Sequence, residues 1–597
     1  MNTLAMIPQP HYCKQREETV DFSAFKKNAV LMVSGDEKRL AFHAQKIVET
    51  FTIEKGSFFS LSFGSFNCSE PLNPEHRTDW YRINIEPCGF QIVSDTERGL
   101  FYGMITLGRV FAQFGSNVPC MEIVDYADMA LRCEYWDLRS VHSPVWGLLK
   151  AIPRIARAKL NGLVIEYEAT LSGGDLFETN PLIQCWTSEE HQKIKDTCKL
   201  WFIDIIPLQQ SFGHLEYVLK DERYSHLKET PLATGDLCPQ KPGSIELARK
   251  LIERMAKLHP ESQYLHLGCD EVWSLCTCDA CKATHKTKEL IAIEFINKLI
   301  DAACNVGKTP LFWQDMLMHA TDEELAQLDK RAIVCIWLYS GNDLEYVVGH
   351  FIERLNGFGI KYIGCPAMRA SDRSDRQNYP VLSERINNIR RWHRLVKKYD
   401  IQCMINTNWA ASFALAKPYG VYETSVYPLY YSADQCWNRD VEEDKFLLRF
   451  FADYHGMYTP DPLLLHGFTN EDYFHVVAQI TDKLPREKDI PELVADWKFF
   501  ENRTHIYFPL TAILYRLEFY NSSEERSSLL EKYLATKADL KYIVPRIEKK
   551  LFQYLDEDGV KQFIRSRMLT EEMMLQKAEE LLNIPPEERW ENDGLPT

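Results

Sequence analysis

The chain has 597 residues, 45% of them hydrophobic, and a formal net charge of −16, so it exceeds one ordinary core and predicts two or three domains. That acidity argues against a nucleic-acid groove or an anionic membrane surface as partner, because both select clustered Lys and Arg. No segment offers the roughly 18 consecutive apolar residues of a membrane span and the start lacks a basic stretch followed by a long apolar one; with 17 scattered cysteines, an odd count, this predicts a cytoplasmic protein with reduced thiols.

Residues 1–125 mix the strand-like runs "YRINI" and "FQIVS" with the helical stretch "TERGLFYGMITLGRVFAQF", the texture of a small α/β domain. Over residues 126–440 short apolar runs alternate with amphipathic helical patterns, which is how βα units around a parallel sheet read. The strand candidates are "ALRCEYWDL", "GLVIEYE", "FIDIIPLQQ", "YLHLGCDE", "TPLFWQDM", "AIVCIWLY", "GIKYIGCPA" and "IQCMINTNW". Eight rounds predict a closed (β/α)8 TIM barrel. Residues 441–597 are rich in Glu, Lys and Leu at helical spacing and predict a helical C-terminal domain with no motif that carries chemistry.

Barrel active sites lie at the C-terminal ends of the strands. Read there, the first strand offers Arg132 and Asp137, the second Glu166 and Glu168, and the third Gln209, Gln210 and His214. The fourth ends in Asp270 and Glu271, and later strands in Trp313 and Asp315, Trp337 and Tyr339, then Trp409. Carboxylates, an arginine and aromatic faces at one mouth fit a sugar pocket, although Trp and Tyr can also simply cap a barrel core. The adjacent acids in "YLHLGCDEVW" are informative. Neighbours in a strand point to opposite faces, so both can enter a pocket only where the backbone leaves the pleat. A conventional retaining glycosidase draws its two carboxyls from separate elements, about 5 to 5.5 Å apart; side-by-side acids imply that each serves a different part of the substrate.

"HLGCDEVW" resembles the His-x-Gly-x-Asp-Glu signature of the β-N-acetylhexosaminidases, glycoside hydrolase family twenty. "NGLVIEYE" and "PLQQSFGHLEYVL" are similar to the hexosaminidase D branch of that family, and "RGLFYGMITLGRVF" with "MEIVDYADMALR" resembles the domain that precedes its barrel. The resemblance spans about residues 75 to 430. It implies an exo-acting retaining enzyme that releases terminal β-linked GalNAc or GlcNAc by substrate-assisted catalysis. Glu271 is then the general acid and base, and Asp270 orients the acetamide that attacks the anomeric carbon. Arg132 matches the arginine that forks onto ring hydroxyls, Trp313, Trp337 and Trp409 match the aromatic walls, and His214 and Glu168 match partners that keep the acids oriented. No cofactor is required. The implied partner is a glycan with a terminal β-N-acetylhexosamine, not a nucleic acid or a membrane.

The chain departs from the family pattern in places. Met368 stands near the position of an acetamide-binding Tyr, for which Tyr339 is the expected substitute. Ala411 stands where a Glu is usual, and Glu423 is the candidate replacement. These changes bear on which epimer is read at C4, and the hexosaminidase D likeness leans toward galactosaminides. The intact Asp-Glu pair argues against the alternative, an inactive carbohydrate-binding protein on the same fold. One motif is left over: "CTCDACKATH" packs Cys276, Cys278, Cys281 and His285 into one loop. These could hold a structural zinc, although the spacing is not a strong finger pattern and reduced thiols are the simpler reading.

Overall fold

A computed structural model describes residues 4–22, 31–32, 37–50, 59–63, 79–139, 144–178, 185–370, 379–409, 422–458, 465–501, 506–519 and 522–590. The N-terminal part is a six-stranded sheet, β1 (Tyr12–Asp21), β2 (Leu31–Met32), β3 (Phe59–Phe63), β4 (Tyr81–Glu86), β5 (Gly89–Ser94) and β6 (Asn117–Asp125), in the order β1-β6-β4-β5-β3-β2. The helix Glu97–Phe114 lies against it, started by the Thr96 side chain, which accepts a hydrogen bond from Gly99 N. Its buried face, including Leu100, Met104, Leu107 and Phe111, follows helical spacing.

Eight parallel strands then close a barrel: β7 (Leu131–Asp137), β8 (Gly162–Glu166), β9 (Asp204–Leu208), β10 (Tyr264–His266), β11 (Thr309–Trp313), β12 (Ile333–Trp337), β13 (Lys361–Cys365) and, after the short β14 (Ala367–Arg369), β15 (Cys403–Asn408). Pairing of β13 with β15 and of β15 with β7 completes the ring. Each strand falls within a run read from the sequence, because a parallel strand buried on both faces leaves a short continuous apolar run that the amphipathic helices interrupt. The barrel interior holds Cys133, Tyr135, Val164, Ile206, Leu208, Leu311, Trp313, Cys335, Ile363 and Ile405. Helices such as Ser244–Leu258, Lys288–Asn305 and Leu382–Tyr399 form the outer layer. Helices Asp489–Glu501, Tyr507–Phe519, Ser523–Leu551 and Glu557–Leu582 pack on one another beyond the barrel. Among the described residues no helix is long and apolar enough to cross a membrane.

Arg132 has a different place from the one expected. It is the second residue of β7, at the N-terminal rim, and lies on the opposite face from Cys133 and Tyr135, which point inward. Fully buried, it forms an ion pair with Asp79 at 2.7 Å and donates to the Lys159 carbonyl at 2.9 Å. Nearby, Lys159 pairs with Asp125 at 2.8 Å. These buried charges latch the N-terminal sheet to the bottom of the barrel, the end of this fold that serves stability. Arg132→Ala is therefore expected to leave Asp79 with Arg98, 2.7 Å away, as its remaining partner, and to cost less than the about 3–5 kcal/mol of a buried charge left unpaired, read as a lower urea midpoint.

Candidate active site

The C-terminal rim gathers a connected set of polar groups. Beyond His266 the chain leaves β10, and Cys269 and Glu271 adopt left-handed φ values of 75° and 53°. This turn lets both neighbouring acids face one group. His214 Nε2 lies 3.4 Å from Asp270 Oδ2 and 3.4 Å from Glu271 Oε2. His214 itself has φ 52° and Glu168 φ 45°, so non-glycine residues in a costly backbone region cluster at this mouth. The surroundings enforce the geometry. A Cβ on Gly213 would meet the Asp270 carbonyl oxygen at 2.1 Å, and one on Gly268, at φ 68°, would meet Gln210 Oε1 at 1.9 Å.

The two acids differ in environment. Asp270 is buried and also accepts from Gln210 Nε2 at 3.3 Å. Burial alone would lift its carboxyl, but His214, by charge and hydrogen bond, and Arg139 outweigh it and hold Asp270 below the usual range. The Glu271 side chain is 26% exposed. Its backbone N–H donates to Asp315 Oδ2 at 2.8 Å, which fixes the turn. Burial, then the nearby Asp270 charge, pushes the Asp315 carboxyl up to about 7. Burial disfavours the His214 imidazolium, yet Asp270 and Glu271 hold it protonated well above 6.5.

Asp137, Arg139 and Glu166 form the next part of the rim. Arg139 Nε is 3.1 Å from Asp137 Oδ1 and 3.4 Å from Glu166 Oε1, and its guanidinium lies 5.5 Å from the Trp409 ring centroid. Glu166 accepts from Tyr135 Oη and, at 2.9 Å, from Gln210 Nε2. Arg139 was not singled out from the sequence. The signal was available: the alternation that turns Tyr135 inward continues to Asp137 and Arg139. Glu168 is pushed up to about 8 by burial, opposed by Arg139 and helped by Glu166, Asp137 and Glu216.

Aromatic residues line the other side. Trp409 Nε1 donates to Tyr339 Oη at 2.7 Å, and Trp337 stacks on Tyr339 with centroids 5.4 Å apart. Trp313 is fully buried beneath them, against His266 at 4.2 Å and Trp409 at 5.7 Å. The indole N–H groups of Trp313 and Trp337 have no hydrogen-bond partner among the described residues. His266 accepts from Gly268 N through Nδ1 and is a packed strand residue, fully buried at the end of β10. Met368 is fully buried; Ala411 lies outside the described residues.

Glu423 is also placed away from its expected role. It sits in the turn Tyr422–Ser425, behind β7, and pairs with Arg154 of the barrel helix Val145–Arg157 at 3.3 Å. That ion pair, next to outward-facing Glu134, uses the carboxylate between barrel and helix, not at the mouth. The cysteine loop is likewise rearranged. Cys278 and Cys281 meet Cys238 and Glu229 from the preceding loop, with ligand atoms all within 4.8 Å of one another. Cys276 and His285 are not in that group. Cys276 has φ 70°, and His285 is exposed past the short helix Asp279–Lys282.

Comparison with known proteins agrees with this architecture. Residues 159–392 match the model of the glycosyl hydrolase family 20 catalytic domain, and residues 3–126 match domain 2 of the same family. The chain belongs to glycosyl hydrolase family 20. Among curated relatives, bovine hexosaminidase D (Bos taurus) is 24% identical over 291 residues, 47% of this chain and 84% of that protein. Human hexosaminidase D (Homo sapiens) is 28% identical over 220 residues, 36% of this chain and 45% of that protein, so the match spans less than half of the human relative. Among solved structures, the chitobiase of Flavobacterium johnsoniae is similar in fold over 97% of this chain and 98% of its own, with a TM-score of 0.61 at 14% identity. That likeness of fold takes in the C-terminal helices as well as the barrel.

Proposed function

We propose that this protein is an exo-acting retaining β-N-acetylhexosaminidase that cleaves terminal β-linked GalNAc or GlcNAc with help from the substrate's own acetamide. The observation that carries the reading is the shared contact of Asp270 and Glu271 with His214 at the barrel mouth. It places two acids of different exposure on one pivot. Buried Asp270, kept as carboxylate, accepts the acetamide N–H and stabilises the positive charge that grows as the acetamide oxygen bonds the anomeric carbon. Partly exposed Glu271 gives its proton to the glycosidic oxygen, and the alcohol departs, leaving an oxazolinium. Glu271 then takes a proton from water, which adds to the anomeric carbon and releases the acetamide oxygen. Water enters from the face the alcohol left, so two successive inversions at the anomeric carbon retain its configuration.

Arg139 takes the place first given to Arg132, as the guanidinium available to ring hydroxyls. Trp337 and Trp409 supply ring-stacking faces, and Tyr339 Oη, anchored by Trp409, is a donor for the acetamide oxygen. Trp313 supports these from below. His214 positions both acids, and Gln210 holds Asp270 from the other side. Of the two epimers, GalNAc is the expected preference, in line with the resemblance to hexosaminidase D.

Matched aryl glycosides test the reading in one experiment. Turnover is expected for both 2-acetamido epimers, with larger kcat/KM for the galacto compound, and the 2-hydroxy analogues are expected to lose at least about 10³-fold because the intramolecular nucleophile is gone. Equal rates with and without the acetamide would overturn substrate assistance. Binding without turnover would support a carbohydrate-binding protein instead.

A further inference from the structure

Two loops of the barrel mouth meet in a cluster of sulfur atoms that the hydrolytic reading does not use. Glu229 and Cys238 come from the loop after β9, the loop that also carries His214. Cys278 and Cys281 come from the loop after β10, which carries Asp270 and Glu271. Cys238 Sγ is 3.5 Å from Cys278 Sγ and 3.6 Å from Cys281 Sγ, and Cys281 Sγ is 3.5 Å from Glu229 Oε2. A tetrahedral zinc holding thiolates at about 2.3 Å and a carboxylate oxygen at about 2.0–2.2 Å spaces its ligand atoms about 3.5–3.8 Å apart. The observed separations fall in that range.

The local structure aims these atoms at one point. Cys278 caps the short helix Asp279–Lys282, its sulfur accepting from Cys281 N at 3.3 Å, so both thiols lie on the same side of the turn. Cys278 N donates to Glu229 Oε1 at 3.1 Å, leaving Oε2 against the sulfurs. Glu229 is 1% exposed, and no Lys or Arg pairs with it among the described residues. A carboxylate removed from water normally has a cation or several good donors, whereas this one has a backbone N–H on Oε1 and, at Oε2, a thiol, which is a weak donor.

We propose that Glu229, Cys238, Cys278 and Cys281 bind a structural zinc ion that clamps the His214 loop to the Asp270–Glu271 loop. Binding displaces the thiol protons and leaves a Cys3Glu shell with every position filled by protein. A closed shell has no open position for water or substrate, so the ion orders the mouth and does not activate the nucleophile. A neighbouring contact serves the same junction: Asp236 Oδ2 accepts from Ser274 N at 2.7 Å and from Ser274 Oγ at 2.6 Å.

Full-length protein purified under reducing conditions with zinc in the growth medium is expected to contain about one zinc per chain by elemental analysis. Cys281→Ser and Cys238→Ser are expected to retain less than about a tenth of that, while Cys276→Ser keeps all of it. Metal-depleted wild-type protein loaded with Co(II) is expected to show the visible bands of a tetrahedral thiolate site, and this measurement stands even if the variants fail to fold. Wild-type protein that holds no stoichiometric zinc and gives no such cobalt spectrum overturns the proposal. So does loss of metal in Cys276→Ser as complete as in Cys281→Ser, or a Cys238–Cys278 disulfide in the reduced preparation. Metal content is read without any glycoside, so this outcome is independent of the proposed hydrolysis.

Discussion

Glu271→Gln is expected to lower kcat by about 10²–10⁴-fold on a hexosaminide whose leaving group is a poor one, the range contributed by a positioned general acid and base. Gln keeps the size of the side chain, and the backbone anchor from Glu271 N to Asp315 is untouched, so the fold should persist. An aryl glycoside with a good leaving group departs without a proton, and its first step should be nearly normal. The second step, addition of water, still needs a base, and intermediate should accumulate as a burst. A small anionic nucleophile such as azide needs no base and is expected to restore turnover on that substrate, giving a β-glycosyl azide. Near wild-type kcat on the poor leaving group would remove Glu271 from the reaction. The contrast between the two substrates also separates loss of acid chemistry from simple misfolding, which would depress both alike.

The turn that makes Glu271 and Asp270 cooperate was partly legible in the sequence. Short apolar runs between amphipathic helices located the barrel strands, and the impossibility of two neighbouring strand residues sharing a pocket implied that the chain leaves the pleat before Asp270; β10 does end at His266. Parity along one strand was legible too, but the reading went astray over Arg132. Arg132 matches the expected residue type but stands at the other rim, and Tyr135 inward makes Arg132 outward. Contacts set by topology were not legible at all. Cys238 and Cys278 are 40 positions apart, in loops joined only because β9 and β10 are neighbours in the ring, and spacing within "CTCDACKATH" cannot reveal a ligand from another loop. Glu423 fails for a similar reason: its partner Arg154 sits on a helix whose facing the local sequence does not specify.

Asp270→Asn is expected to cost about 10²–10³-fold in kcat on a 2-acetamido substrate, as removal of one preorganised electrostatic partner of a developing charge typically does. The size of the loss should depend on the substrate. On a 2-hydroxy analogue there is no acetamide to orient, so the same substitution should change the residual rate little, and the double-mutant style comparison isolates the acetamide contact. The substitution has a second signature through His214. That imidazole stays protonated well above 6.5 because, against burial, Asp270 by charge and hydrogen bond and Glu271 by hydrogen bond favour the cation. Its folded-state pKa is the raised one, so the stability it contributes is complete below 6.5 and is lost as pH rises through the folded value. Neutralising Asp270 removes the larger of the two attractions, and the alkaline fall in both stability and kcat should begin at lower pH. If the alkaline limb moves while kcat at its optimum does not, Asp270 serves only to hold His214. If kcat falls with the acetamide substrate alone, Asp270 acts on the substrate, as the division of labour between adjacent acids requires.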